Sequence, residues 1–295
     1  MSVLPVLFAD VAEKRALMRL GLDIAQQRMT FAELIGRACF AEEVGFDGVW
    51  GFDHFQPMYG TGPGECFEGM TTLAALSGHT SRIRLGLLVT GVTYRQPSVF
   101  AAEAITIDHA SGGRLECSLG AAWYDKEHRE LGIPFPPTAS RIEMLNEALT
   151  IVRGLFVSTE PFTFEGRHWQ LHNARLDPKP VQQPHPPIWI GASGERKMLP
   201  IVARHADMWH SFGDAATIER KGRLLDELAL LTGRDPAAIG RAASLNLSDP
   251  WDHVRRTVDA YRSAGVSYLV CGWPSEGRAR LEEFVEKVMP DLSAD

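Results

Sequence analysis

Two adjacent residues, Asp53 and His54, put a carboxylate beside an imidazole at the start of Asp53-His54-Phe55-Gln56-Pro57-Met58, where the proline stiffens a turn. An imidazole exchanges a proton near neutral pH, so His54 is a candidate acid or base and Asp53 a candidate partner. The same residue types also cap loops and fill partly buried positions, so the pair alone does not specify a reaction. A second group, Ile190-Gly191-Ala192-Ser193-Gly194-Glu195-Arg196-Lys197, joins small residues, a hydroxyl and two cations where a strand gives way to a helix. Backbone amides at such a turn suit a phosphate, although a plainly capped helix uses the same residues. The Gly-Lys-Ser/Thr ending of a P-loop is lacking. Two more segments, Thr90-Gly91-Val92-Thr93 and Gly120-Ala121-Ala122-Trp123-Tyr124, would let backbone approach a flat ligand and then wall it with rings. Ordinary strand ends and core packing also produce such runs.

The elements that must position these residues follow a βα rhythm from Met18 onward. Strands are expected at 18–24, 46–52, 83–91, 114–121, 187–192, 207–212, 242–247 and 266–273. Helical patterns fall at 30–45 and near 66–78, 98–110, 138–156, 194–205, 215–231, 250–264 and 276–289. In the first helix Thr30 is the expected N-cap, Glu33 completes a capping box and Gly45 ends the run, while Phe31, Leu34, Ile35, Ala38 and Ala41 share one face. Eight βα units fit a closed (β/α)₈ TIM barrel, in which functional groups collect where strands run into their following loops. An open doubly wound sheet is the rival, weakened because GxGxxG is missing after the first strand. The segment 157–187 breaks the rhythm with an expected hairpin around Glu165-Gly166, followed by a stretch whose prolines 178, 180, 184, 186 and 187 exclude helix. We read one barrel domain over 18–295 with this insertion, and residues 1–17 as a leader.

Composition narrows the function classes. A net charge of −7 without a long basic block argues against nucleic-acid binding. Cys39, Cys66, Cys117 and Cys271 are too scattered for a metal or redox pair, so reduced thiols are expected. His168 and His172 lie four apart in the expected hairpin rather than on a helix, and no HExxH occurs, so no metal site is expected. The 60–65 stretch Gly-Thr-Gly-Pro-Gly-Glu reads as a mobile loop. The first apolar run is interrupted by Pro5 and lacks a basic flank, so neither a signal peptide nor a membrane span is expected and the cytoplasm is the expected location.

Taken in order, three stretches resemble the bacterial luciferase-like flavin and deazaflavin oxidoreductases, most closely the branch that uses coenzyme F420. They are AEEVGFDGVWGFDHFQP, TTLAALSGHTSRIRLGLLVTGVTYRQPSVFAAEAITIDHASGGRLECSLGAAWYDKEHRELGIPF and PKPVQQPHPPIWIGASGERKMLPIVARHADMWH. The resemblance spans about residues 18–290. It implies a barrel with insertion segments, a homodimer, and a tricyclic cofactor at the C-terminal mouth acting on a small-molecule substrate. It places the cofactor phosphate on Gly191, Ala192, Ser193, Gly194, Glu195 and Arg196. The ring would lie near Asp53, Thr90, Gly91, Val92, Gly120 and Ala121, with a non-prolyl cis peptide expected between Gly91 and Val92. Asp53 and His54 match the family's Asp-His pair beside the ring and are the implied catalytic residues. A deazaflavin carries hydride rather than activating oxygen, so hydride transfer is the implied reaction. The alternative is an FMN-dependent monooxygenase of the same superfamily. A non-catalytic carrier barrel and a barrel acting on phosphorylated substrate without a redox cofactor are the readings from other classes.

Overall fold

The computed structural model describes residues 18–293, so the expected leader at 1–17 lies outside the described residues. Eight parallel strand positions close on themselves: β1 (Arg19–Asp23), β2 (Gly48–Gly51), β3 (Arg84–Leu87) continued by the short β4 (Thr90–Gly91), β5 (Leu115–Gly120), β8 (Ile188–Gly191), β9 (Met208–His210), β10 (Gly240–Leu245) and β11 (Tyr268–Gly272). Closure is made by β3 against β5, with Leu85 opposite Leu115 and Gly86 opposite Glu116. Between the strands run α1 (Phe31–Glu43), α2 (Gly69–Ser77), α3 (Pro97–Ser111), α4 (Asp125–Leu131), α5 (Thr138–Val157), α6 (Leu199–His205), α7 (Ala215–Leu231) and α8 (Trp251–Ser263), with α9 (Arg278–Lys287) and α10 (Met289–Ser293) after the last strand. This is a (β/α)₈ barrel. The expected caps hold on α1, where the Thr30 side chain accepts from the Glu33 amide and Gly45 takes the left-handed conformation at φ 92°.

The rhythm break at 157–187 contains β6 (Phe162–Glu165) and β7 (Gln170–Ala174), an antiparallel hairpin outside the barrel. Glu147 on α5 anchors its turn, accepting from the amides of Arg167, His168 and Trp169 at 2.8, 2.9 and 3.1 Å. The hairpin histidines are taken up by glutamates, His168 with Glu143 and His172 with Glu165. All four cysteines are free thiols. No helix among the described residues is long and apolar enough to cross a membrane.

Two cores result. The larger lies between the sheet and the helices, whose inner faces bury Leu34, Phe100, Leu149 and Val202. The smaller fills the barrel itself with Trp50, Trp189, Met208, Ala242, Tyr268 and Val270. Trp50 and Trp189 lie 4.3 Å apart between ring centroids, and Tyr268 meets Trp189 edge-on at 5.1 Å. Such rings need small residues across from them. A Cβ on Gly86 would come within 2.5 Å of the Trp50 ring. Their polar atoms are satisfied: the Trp50 indole donates to the Tyr268 hydroxyl at 3.0 Å and Trp189 donates to Glu116 at 2.6 Å. Glu116 in turn pairs with Arg84. The aromatic plug occupies the lower barrel, so space for a ligand is left at the C-terminal mouth.

At that mouth β1 ends in Asp23, whose Oδ1 accepts from the Ala25 amide at 2.9 Å. Burial raises its carboxyl to about 6, against the opposing effect of that hydrogen bond. A folded-state value above the ordinary one means that Asp23 stabilises the fold below about pH 4, and that this contribution is lost as pH rises through about 6. Asp23→Asn keeps the acceptor and cannot ionise. It is expected to raise the melting temperature at pH 8 and to give no advantage near pH 4. Equal differences at the two pH values would show that Asp23 does not titrate in the fold.

Candidate functional site

A cleft of about 510 Å³ opens at the C-terminal mouth, within the size range of small-molecule sites. Its floor is Leu88, Val89 and three glycines, Gly91, Gly120 and Gly191. The glycines are a steric requirement there. A Cβ on Gly120 would come 2.6 Å from Val89 Cγ2, and one on Gly191 3.1 Å from the same methyl, so any side chain would fill the cradle or displace Val89. The strand expected over 83–91 is broken at this point: the Leu88 amide still donates to Gly51 at 2.8 Å, whereas Thr90 and Gly91 pair with Leu119 and Gly120 of β5. The peptide between Leu88 and Val89 is cis. The expected position between Gly91 and Val92 is thereby corrected by three residues: pairing with β2 ends before Thr90, while pairing with β5, present at Leu85 and Gly86, resumes at Thr90 and Gly91.

His54 lines the cleft. Its Nδ1 lies 3.4 Å from Glu127 Oε1 and 3.5 Å from the Tyr94 hydroxyl, which itself donates to Glu127 Oε1 at 2.7 Å. Glu127 Oε2 accepts from the Phe55 and Gln56 amides at 2.8 and 3.0 Å. Burial would raise the Glu127 carboxyl, but hydrogen bonds from His54, Tyr94 and Phe55 outweigh it and hold it below its ordinary value. An ionised carboxylate only accepts, so Nδ1 of His54 carries a proton toward Glu127 and Nε2 is the nitrogen left for the cleft. Burial, reinforced by the hydrogen bond to Glu127 and its charge, raises the Tyr94 phenol, which keeps it a donor. Behind this group, His128 stacks on Tyr94 with centroids 4.8 Å apart, donates from Nδ1 to the Tyr124 carbonyl at 2.7 Å and meets Thr93 Oγ1 at 2.6 Å. The Nδ1 edge of the His54 imidazole is therefore held by two residues far away in the chain, Glu127 and Tyr94.

Asp53 does not join it. Phe52 and His54 both face the cleft, so the residue between them faces the opposite side, as the two-residue repeat of an extended chain requires. Its carboxylate takes two bonds from Arg95, at 2.5 and 3.0 Å, and is 2% exposed. Arg95 also pairs with Glu68 and, at 3.1 Å, with Glu103. Burial alone would lower the Arg95 guanidinium, but Asp53, Glu68 and Glu103 raise it, so it stays charged. For Asp53, burial wins over the attraction of Arg95 and raises the carboxyl. The expectation that Asp53 touches a ligand is corrected: it anchors the strand end from behind.

Of the other expected residues, Thr90, Gly91, Gly120, Ala121, Gly191, Ala192 and Ser193 line the cleft. Val92 is buried beneath it, at the far side of Gly91. Gly194, Glu195 and Arg196 lie beyond its lip, on a turn in which the Gly194 carbonyl accepts from the Met198 and Leu199 amides. The helix expected from 194 starts only at Leu199, and Glu195 is engaged with Arg220 at 2.8 Å. The loop at 60–65 is strapped down, since the Arg28 guanidinium donates to the carbonyls of Tyr59, Gly62 and Pro63. Glu127, Tyr94, Arg95 and His210 are site residues that the sequence reading missed. For Glu127 and His128 a signal existed: acidic Asp125 and Glu127 open α4 and Gly132 closes it in the left-handed conformation. His210 lines the cleft from the barrel side with Nε2 3.1 Å from Ser244 Oγ, and burial lowers its imidazole to about 4.

Comparison with known proteins follows this geometry. Residues 15–262 match the luciferase-like monooxygenase family. An F420-dependent glucose-6-phosphate dehydrogenase of Microbacterium testaceum is 29% identical over 255 residues, 85% of this chain and 68% of the relative. Among solved structures, an F420-dependent secondary alcohol dehydrogenase in complex with an F420-acetone adduct superimposes with a TM-score of 0.84 at 18% identity, over 95% of this chain and 100% of that one. The coenzyme F420 dependent tetrahydromethanopterin reductase of Methanopyrus kandleri gives 0.78 at 18% identity, over 94% and 100%. Those two likenesses are likenesses of fold. The family match covers most of the sequence and includes both the glycine-floored cleft and His54: this chain belongs to the luciferase-like monooxygenase family.

Proposed function

We propose that the protein is a coenzyme F420-dependent oxidoreductase that exchanges a hydride between the deazaflavin and a small organic substrate lying against His54. The observation that carries this reading is the glycine cradle around Val89 beside a hydrogen-bonded imidazole, in a chain whose relatives include dehydrogenases named for F420. The residues fit a flat ring. Thr90, Gly91, Gly120 and Ala121 would hold it, and Gly191, Ala192 and Ser193 lead toward a phosphate on the turn that carries Arg196 and Lys197. When bound, the deazaflavin supplies a hydride donor or acceptor, because carbon replaces the reactive nitrogen of a flavin. His54 supplies the proton exchange: Glu127 fixes Nδ1–H, and Nε2 gives a proton to, or takes one from, a substrate oxygen in the cleft. Tyr94 keeps Glu127 in place and thereby fixes the tilt of the imidazole.

The test is a titration of the ligand-free protein with F420 and with FMN, read by absorbance and by melting temperature. A ligand that binds only the folded state stabilises it by about 2.7 kcal/mol at a hundredfold excess over its Kd. F420 is expected to raise the melting temperature and FMN to leave it in place. A shift with FMN alone would replace this reading with that of a reduced-flavin monooxygenase.

A further inference from the structure

The outer half of the cleft carries a chemical signature of its own. Tyr59, Trp123 and Phe212 line it and stand 61%, 66% and 70% exposed, three large rings around one opening. Met58 and Ile142 continue the apolar wall. Trp123 reaches inward to meet the His54 ring edge-on, with centroids 5.8 Å apart, so a molecule touching His54 from this side must lie against it. Rings left in water at the rim of a cleft are surface that a ligand can cover with gain.

No lysine, arginine, aspartate or glutamate lines the cleft among the described residues. Arg196 and Lys197 stand on the turn beyond the lip that the proposed function gives to the cofactor phosphate, and three further cations around the cleft are committed elsewhere. Arg28 is bound to the carbonyls of Tyr59, Gly62 and Pro63. Arg95 is bound to three carboxylates. Arg141 is buried, donates to the carbonyls of Ala121 and Pro136 and to the Thr138 hydroxyl, and stacks 3.8 Å above the Phe135 ring. Burying an unpaired anion or ammonium group on such a surface is costly, so the wall selects against charged molecules. Of the polar groups that line the cleft, His54 presents Nε2 to it and suits a hydrogen-bonding oxygen, while Tyr59, Thr138 and Ser193 add only uncharged hydrogen-bonding groups.

We infer that the substrate is an uncharged, mostly apolar, ring-bearing organic molecule with a hydrogen-bonding oxygen toward His54, held between Trp123 and Phe212, and is neither a phosphorylated sugar nor another anion. This rests on the reading of the cleft as an oxidoreductase site, and it separates the chain from relatives named for glucose 6-phosphate.

Calorimetric titration of the full chain with 1-tetralone and with glucose 6-phosphate, each with and without F420, tests it. Tetralone is expected to bind at least about tenfold more tightly than the sugar phosphate. Phe212→Ala and Trp123→Ala are each expected to weaken tetralone by about tenfold, the worth of part of an aromatic side chain's burial, and Trp123→Phe to restore most of the affinity. Both side chains are largely exposed, so these variants are expected to keep the parent melting temperature. Glucose 6-phosphate binding as tightly as tetralone, or tetralone affinity unchanged in both alanine variants, would overturn the inference. F420 binding is read separately by absorbance. Failure of F420 to bind while tetralone affinity still depends on Trp123 and Phe212 would count against the proposed cofactor and leave the substrate class standing.

Discussion

Replacing His54 by alanine is expected to slow hydride exchange at saturating F420 by about 10²- to 10⁴-fold, the usual worth of a positioned acid or base, while F420 still binds. Loss of the imidazole leaves Glu127 satisfied by Tyr94 and by the Phe55 and Gln56 amides, so the fold around it has little reason to change. Glu127→Gln should have a smaller effect, about tenfold, because one charge-assisted hydrogen bond to Nδ1 is weakened while the ring stays in place. Single-turnover absorbance measures the exchange step, and a fluorescence titration measures cofactor affinity. An His54→Ala variant that exchanges hydride at the parent rate would remove the imidazole from the mechanism and leave the cleft as a binding site only.

The second large effect concerns stability. Arg95→Met removes the one cation shared by Asp53, Glu68 and Glu103, and is expected to cost about 3–5 kcal/mol at neutral pH, as when one partner of a buried pair is deleted. The pH dependence gives the cause away. In the parent, burial already raises the Asp53 carboxyl, so its contribution to stability is present below its unfolded value and is lost as pH rises through the folded one. Without Arg95 the carboxyls of Asp53 and Glu103 rise further and that of Glu68 loses one of the interactions holding it down, so the deficit should be largest at pH 8 and shrink toward pH 5. Adding Asp53→Asn should recover part of the loss at pH 8. Urea unfolding of the single and double variants at both pH values measures this, and a deficit independent of pH would point to lost packing rather than lost charge compensation.

Much of this architecture is written locally. Alternation of apolar residues every two positions marks β1 and β5, the three- and four-residue repeat marks α1, and Thr30 with Gly45 bounds that helix, so the order of βα units is legible from neighbouring residues alone. The strand ends carrying His54, Gly120 and Gly191 follow from that order, since a barrel gathers its loops at one mouth. Helix α4 escaped because seven residues span two turns, too few for a repeat to stand out.

What the tertiary structure decided lies where residues distant in sequence meet. Glu127 reaches His54 across 73 positions, Tyr94 reaches Glu127 across 33 and Arg95 reaches Asp53 across 42. The side on which Asp53 emerges, and the point at which the chain ends its pairing with β2 while keeping that with β5, depend on how the strands are staggered when the barrel closes. Propensity and periodicity act over one or two turns of chain and carry no record of that stagger. The residue types for proton exchange are therefore local information, whereas closure of the sheet selects which carboxylate faces the imidazole and which is turned away to hold Arg95.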